Sequence, residues 1–160
     1  KEISLHGKDK VEFLISANAG EELKPLAKIA SGGEMSRVML ALKTVLAEAD
    51  SIEVFIFDEI DTGVSGRTAQ KVAEKMALIG KSHQIICITH LPQIAAMADH
   101  HFLIEKTTQQ EKTITTVKPL NEEESAHEIA RLIGGAKMTQ ATWTAAKELK
   151  EQADAWKKIN

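Results

Sequence analysis

Apolar positions change their spacing several times along the chain, and each change marks an expected element. Val11, Phe13, Ile15 and Ala17 alternate with mostly polar neighbours, which predicts a half-buried strand closed by the turn Asn18-Ala19-Gly20-Glu21. A loop through Pro25 follows. From Glu34 onward Met35, Val38, Met39, Leu42, Val45, Leu46 and Ala49 recur every three or four residues, giving a helix with one apolar face that ends near Asp50-Ser51. Val54 to Phe57 is apolar throughout, as expected of a strand covered on both faces in a parallel sheet. A second helix over Ser65 to Ile79 carries Ala69, Val72, Ala73 and Met76 on one side. Ile85 to Ile88 predicts a second covered strand, Pro92 opens a short helix where proline is tolerated, and Phe102-Leu103-Ile104 predicts a third strand. This strand–helix alternation predicts an α/β fold with a mostly parallel sheet flanked by helices.

The β-branched run Thr113 to Val117 predicts a further strand, paired with the preceding one across a polar turn around Gln109-Gln110-Glu111. Asn121 with Glu124 three residues on forms a capping-box pattern. Ala126, Ile129, Ala130 and Ile133 then make a buried stripe before Gly134-Gly135 stops the helix. A last helix is predicted from Thr139 to Lys158, with Trp143, Ala146, Leu149, Ala153 and Trp156 along one side. There is no internal repeat.

Length and composition predict one domain: 160 residues and 43% hydrophobic content support a single sizeable core. The first residue is lysine, which points to a piece of a longer protein. A net charge of −3 provides no basic footprint for nucleic acid, so any such contact is expected elsewhere. The single cysteine, Cys87, lies in an apolar run with no disulfide partner, which fits a reducing, cytoplasmic setting. No apolar stretch approaches the roughly 18 residues of a bilayer span, and the polar start Lys1-Glu2-Ile3-Ser4 has no signal-peptide core. A soluble chain with no membrane partner is expected.

The chemistry gathers at three places. Asp58-Glu59 follows one predicted strand and Thr89-His90 follows the next, and open parallel sheets place ligands outside the carboxyl ends of their strands. Two acids there suit a magnesium ion and an attacking water, with an imidazole to meet a phosphate. The third place is Ser31-Gly32-Gly33-Glu34, at the amino end of the first long helix. As a capping box alone it would waste two glycines at roughly 1 kcal/mol each. Close approach of something to the backbone explains them better, and a phosphate is the usual visitor to the positive end of a helix. The GxxxxGK[ST] loop that cradles nucleotide phosphates is nowhere in the chain. Gly80-Lys81-Ser82 imitates its end, but it joins a helix to a strand, the reverse of the required context, and is expected to be a helix stop. Asp99, His100 and His101 make a poor metal set because adjacent strand residues point to opposite faces. Glu122-Glu123-Glu124 matches the dipole of a first helical turn.

These residues resemble the C-terminal half of an ABC-type ATPase head. Ala30-Ser31-Gly32-Gly33-Glu34 is similar to the signature motif, Val54 to Glu59 to the Walker B strand, Asp61-Thr62-Gly63 to the D-loop, and Thr89-His90 to the switch histidine. Alanine and glutamate flanking Ser-Gly-Gly resemble the SMC-like DNA-maintenance ATPases. The wording of Ile29 to Arg37, Phe57 to Gly66, Thr89 to Gln93 and Ala126 to Arg131 is closest to the RecN family of bacterial double-strand-break repair.

The resemblance covers nearly the whole chain, residues 1–160, and implies an N-terminal lobe and a coiled coil elsewhere in the parent protein. It implies ATP and Mg²⁺ as ligands, DNA as a partner of the full-length protein, and a nucleoid-associated location. It further implies a composite site between two heads in a head-to-tail homodimer. Glu59 would be the general base, Asp58 an indirect magnesium ligand and His90 the γ-phosphate sensor. Asp61 would contact the second head, and Ser31, Gly32 and Gly33 would cover its nucleotide. Recombinational repair driven by ATP hydrolysis is the expected activity of the whole, with the chain alone inactive. A head that closes on DNA without meaningful turnover is the alternative. Arg37 and Arg67 stand beside the motifs without an assigned role.

Overall fold

The computed structural model describes residues 5, 7–9, 11–16, 20–28, 31–46, 51–109, 112–135 and 137–160. Strands β1 (Leu14–Ile15) and β2 (Lys24–Pro25) pair antiparallel and lead through a 3₁₀ turn over Leu26–Lys28 to helix α1 (Gly32–Leu46). Strand β3 (Val54–Phe57), helix α2 (Gly66–Ile79) and strand β4 (Gln84–Cys87) form the βαβ unit, with β3 and β4 parallel and Phe57 opposite Cys87. The short helix α3 (Pro92–Ala96) starts on its proline. Strands β5 (His101–Gln109) and β6 (Lys112–Leu120) make a hairpin, and helices α4 (Glu122–Gly134) and α5 (Gln140–Ile159) complete the chain.

The mixed α/β class holds, and most elements fall where the pattern put them. Asn121 and Glu124 exchange both bonds of a capping box, and α4 ends at Gly135, whose φ of 63° suits glycine. Gly80 caps α2, as expected of a helix stop. Among the described residues the third strand pairs with β6 only, so the parallel ladder consists of β3 and β4.

Two expectations need correction. The strand around Val11 to Ile15 shrinks to two residues, and Val11 and Phe13 are exposed rather than half-buried; Ala17, Asn18 and Ala19 lie outside the described residues, as do Ala49 and Asp50. The parallel strands are covered on one face only. Phe55 and Phe57 enter a core with Met76, Ile79, Ile94 and Ile129, whereas Val54, Ile56, Ile86 and Ile88 stand on an open face. The apolar stripe of α1 is likewise open at Met39, Leu42, Val45 and Leu46, and its buried side chain is Leu40. Strands of this composition are normally covered on both faces, and an apolar helical stripe normally packs on a core. Among the described residues these apolar positions are left without a cover, although the sequence pattern calls for one.

Candidate functional site

Past the carboxyl end of β3 the chain turns sharply, leaving the successive Asp58 and Glu59 exposed and Ile60 fully buried. The turn is closed by Thr62 N–H donating to Glu59 O at 3.0 Å and by Glu59 N–H donating to Asp58 Oδ1 at 2.9 Å. To make it, Glu59 takes φ 57°, alone among described non-glycine residues in the left-handed region. Such a conformation costs ~1–3 kcal/mol and persists only where the surroundings over-determine it.

Helix α1 supplies that determination. The Ser36 hydroxyl donates to Asp58 O at 2.9 Å, and Arg37 Nη1 donates to Ile60 O at 3.1 Å and Thr62 O at 2.8 Å. The first turn of the helix presses on the same loop. A β-carbon at Gly33 would lie 2.7 Å from Glu59 O and 3.0 Å from Thr62 O, a collision with backbone. One at Gly32 would collide with the Glu59 carboxylate. The close approach inferred from the two glycines is therefore real, and its first occupant is the chain's own Glu59–Thr62 loop. Ser31 is a helix cap in addition, its Oγ accepting from Glu34 N–H at 3.4 Å.

The third element arrives through the parallel ladder, which continues past β4 with Ile88 N–H donating to Phe57 O at 3.0 Å. Thr89 and His90 thus stand beside the β3 exit. Asp61, 4% exposed, joins them: its Oδ2 accepts from the Thr89 hydroxyl at 2.7 Å, from His90 N–H at 2.8 Å, and from His90 Nδ1 at 2.9 Å. With Nδ1–H turned to Asp61, the exposed ring presents Nε2 outward, an acceptor when neutral and a donor as imidazolium. The resemblance implied that Asp61 reaches a second head. In this chain its Oδ2 accepts from Thr89 and His90. Below the loop, burial first, and then the negative charges of Asp61 and Asp58, push the Cys87 thiol up to about 12.

The expected Ser31, Gly32, Gly33, Asp58, Glu59, Asp61 and His90 are thereby brought to one edge of the molecule. Sequence reasoning missed the function of Ser36 and Arg37, whose polar tips tie α1 to the loop. Their only signal was their place one turn into the glycine-opened helix. Arg67, in the first turn of α2, is exposed. Two successive exposed carboxylates fit a magnesium–nucleotide site, in which one or two carboxylates share the ion with phosphate oxygens. Among the described residues no three His, Cys, Asp or Glu side chains converge to hold an ion unaided.

No protein-family model matches the chain. It is 52% identical over 153 residues to DNA repair protein RecN of Bacillus subtilis, covering 96% of this chain and 27% of that protein. Against DNA repair protein RecN of Halalkalibacterium halodurans it is 52% identical over 152 residues, 95% of this chain and 27% of that protein. The chain thus spans about a quarter of the length of these relatives. A solved structure from work on ATP-driven dimerization and DNA-stimulated activation of SMC ATPases superposes with a TM-score of 0.50 at 25% identity, covering 74% of this chain and 70% of that one. The chain belongs to the RecN family, whose members it matches in their C-terminal part.

Proposed function

We propose that the chain is the C-terminal half of an ATPase head, and that it carries the hydrolytic half of a composite ATP site in a DNA repair protein. The observation that supports this most is the bonded unit formed by the β3 exit, the β4 exit and the first turn of α1. It gathers an acid pair, an oriented histidine and a glycine-opened helix at the edge where α/β sheets bind ligands.

In this reading magnesium polarises the nucleotide phosphates when it is bound. Asp58 would hold the ion through water, and Glu59 orients and deprotonates the attacking water. His90, fixed by Asp61, presents Nε2 toward a phosphate oxygen. Ser31, Gly32 and Gly33 cover the nucleotide of a second head in head-to-tail engagement. ATP binding closes the pair, hydrolysis opens it, and DNA is bound by the full-length protein in the cytoplasm.

The phosphate loop comes from an N-terminal lobe, for which the open face of β3 and β4 is the seat. Completing the burial of Val54, Ile56, Ile86 and Ile88, which are 42% to 69% exposed, would stabilise the pair of lobes by ~3–6 kcal/mol. The chain alone, with no phosphate loop, hydrolyses no ATP.

The test is Glu59→Gln in the full-length protein. Phosphate release should fall roughly 10²- to 10⁴-fold while ATP binding survives, because glutamine keeps the shape but takes no proton. Turnover at the unsubstituted rate would refute the assignment. Its presence at the base position also favours turnover over a head that merely closes.

A further inference from the structure

We propose that the first turn of α1 holds Glu59 in a resting position, withholding the general base until that turn is engaged. The inference rests on the ATPase reading for the role of Glu59, but the contact itself stands on geometry. Gly32 and Gly33 differ in what they face. A β-carbon at Gly33 would strike backbone at Glu59 and Thr62, whereas one at Gly32 would meet only the Glu59 carboxylate, Oε2 in collision and Cδ at 3.5 Å. The absent side chain at Gly32 is therefore the space the carboxylate uses.

The backbone directs it there. Glu59 sits at φ 57°, and Ser36 and Arg37 fix the carbonyls of Asp58, Ile60 and Thr62, so the loop is held while the Glu59 side chain remains exposed and able to turn. The carboxylate lies against the positive end of a fifteen-residue helix, where negative charge is favoured. A phosphate covered by this turn would bring further negative charge to the same place, and the two anions repel at such range. Engagement of the turn by the second head's nucleotide expels the carboxylate and frees it toward the head's own nucleotide. Hydrolysis is thereby coupled to engagement through one side chain.

The test compares the Gly32 and Gly33 amide resonances of the chain, without nucleotide and at one fixed pH, across side-chain variants. Glu59→Ala, which empties the space beside Gly32, should shift both amides, and Asp58→Asn, which removes the neighbouring charge, should leave them nearly in place. Gly32→Ala, whose methyl evicts the carboxylate, should reduce the shift that Glu59→Ala causes at Gly33 at least 2-fold, with the dispersed spectrum reporting an intact fold. Amides that Glu59→Ala leaves in place, or that Asp58→Asn moves as far, would overturn the proposal. Because ATP is absent throughout, a failure here leaves the ATPase reading standing, and a failure of that reading in the turnover assay leaves this contact standing.

Discussion

Asp61→Ala isolates the joint on which the site depends. The carboxylate is nearly inaccessible and one oxygen takes three donors. The three are not equivalent. The His90 ring is 73% exposed and recovers its bond from water at little cost, whereas the Thr89 hydroxyl and the His90 N–H are partly buried. Hydrogen bonds to a charged acceptor are worth ~1.5–3 kcal/mol, and an orphaned buried donor costs ~1–3 kcal/mol. Allowing for partial access of water to both, the loss is ~2–4 kcal/mol out of a stability of ~5–15 kcal/mol. With a urea slope of ~2 kcal/mol per molar, the midpoint should drop by ~1–2 M. Trp143 and Trp156, which pack against the core from α5, give the fluorescence signal. Asp61→Asn keeps an acceptor without the charge and should lose about half as much. A residue serving only a second head would leave single-chain stability unchanged. A midpoint for Asp61→Ala within ~0.3 M of the parent would refute the internal role.

Arg37→Ala should cost ~1–2 kcal/mol and raise amide hydrogen exchange across residues 58–64, since two carbonyls lose their donor; unchanged exchange would mean the guanidinium holds nothing. Gly33→Ala should melt several degrees lower than Gly32→Ala, because the first strikes backbone and the second a movable carboxylate, and equal melting temperatures would contradict the geometry. Burial holds His101 below its ordinary pKa, with Lys150 adding to the shift and Glu128 opposing it, while Nδ1 meets Ser125 Oγ at 2.9 Å. The unfolded chain therefore binds more protons just below pH ~6.5, so stability should fall as pH drops through that range, and His101→Gln should flatten the slope. Cys87, pushed up to about 12, should have a thiolate fraction near ~10⁻⁴ at pH 8 and alkylate far more slowly than a free thiol; labelling at the free-thiol rate would show that burial and the acid charges do not reach it.

Local signals were legible and long-range ones were not. The capping box at Asn121, the proline start of α3, the buried stripe of α2 and the β5–β6 hairpin each follow from residues a few positions apart, and each is present. The strand ends were legible too, because an apolar run followed by acids or by Thr-His locates an exit without knowing what lies opposite. Arg37 was not. Its function depends on a loop 23 to 25 residues further on that happens to face α1. The open stripe of α1 and the open face of β3 and β4 expose a second limit. Periodicity shows that a face is meant to be covered, but not by which chain. Met39, Leu42, Val54 and Ile56 read as core in sequence and as surface in the structure.

The glycine pair joins these two limits. Two glycines opening a helix imply that something comes close, and helix electrostatics alone nominates an anion. The structure separates the two positions. At Gly33 the visitor is backbone of the same chain, so any side chain there is excluded before a ligand is considered. At Gly32 the visitor is itself an anion, the Glu59 carboxylate, and it is the movable end of a side chain. A carboxylate can be displaced where a backbone carbonyl cannot. Of the two glycines, then, Gly33 fixes the loop on α1 and Gly32 leaves room for exchange. That asymmetry is what a turn needs if it is to store the base in one state and accept a phosphate in the other.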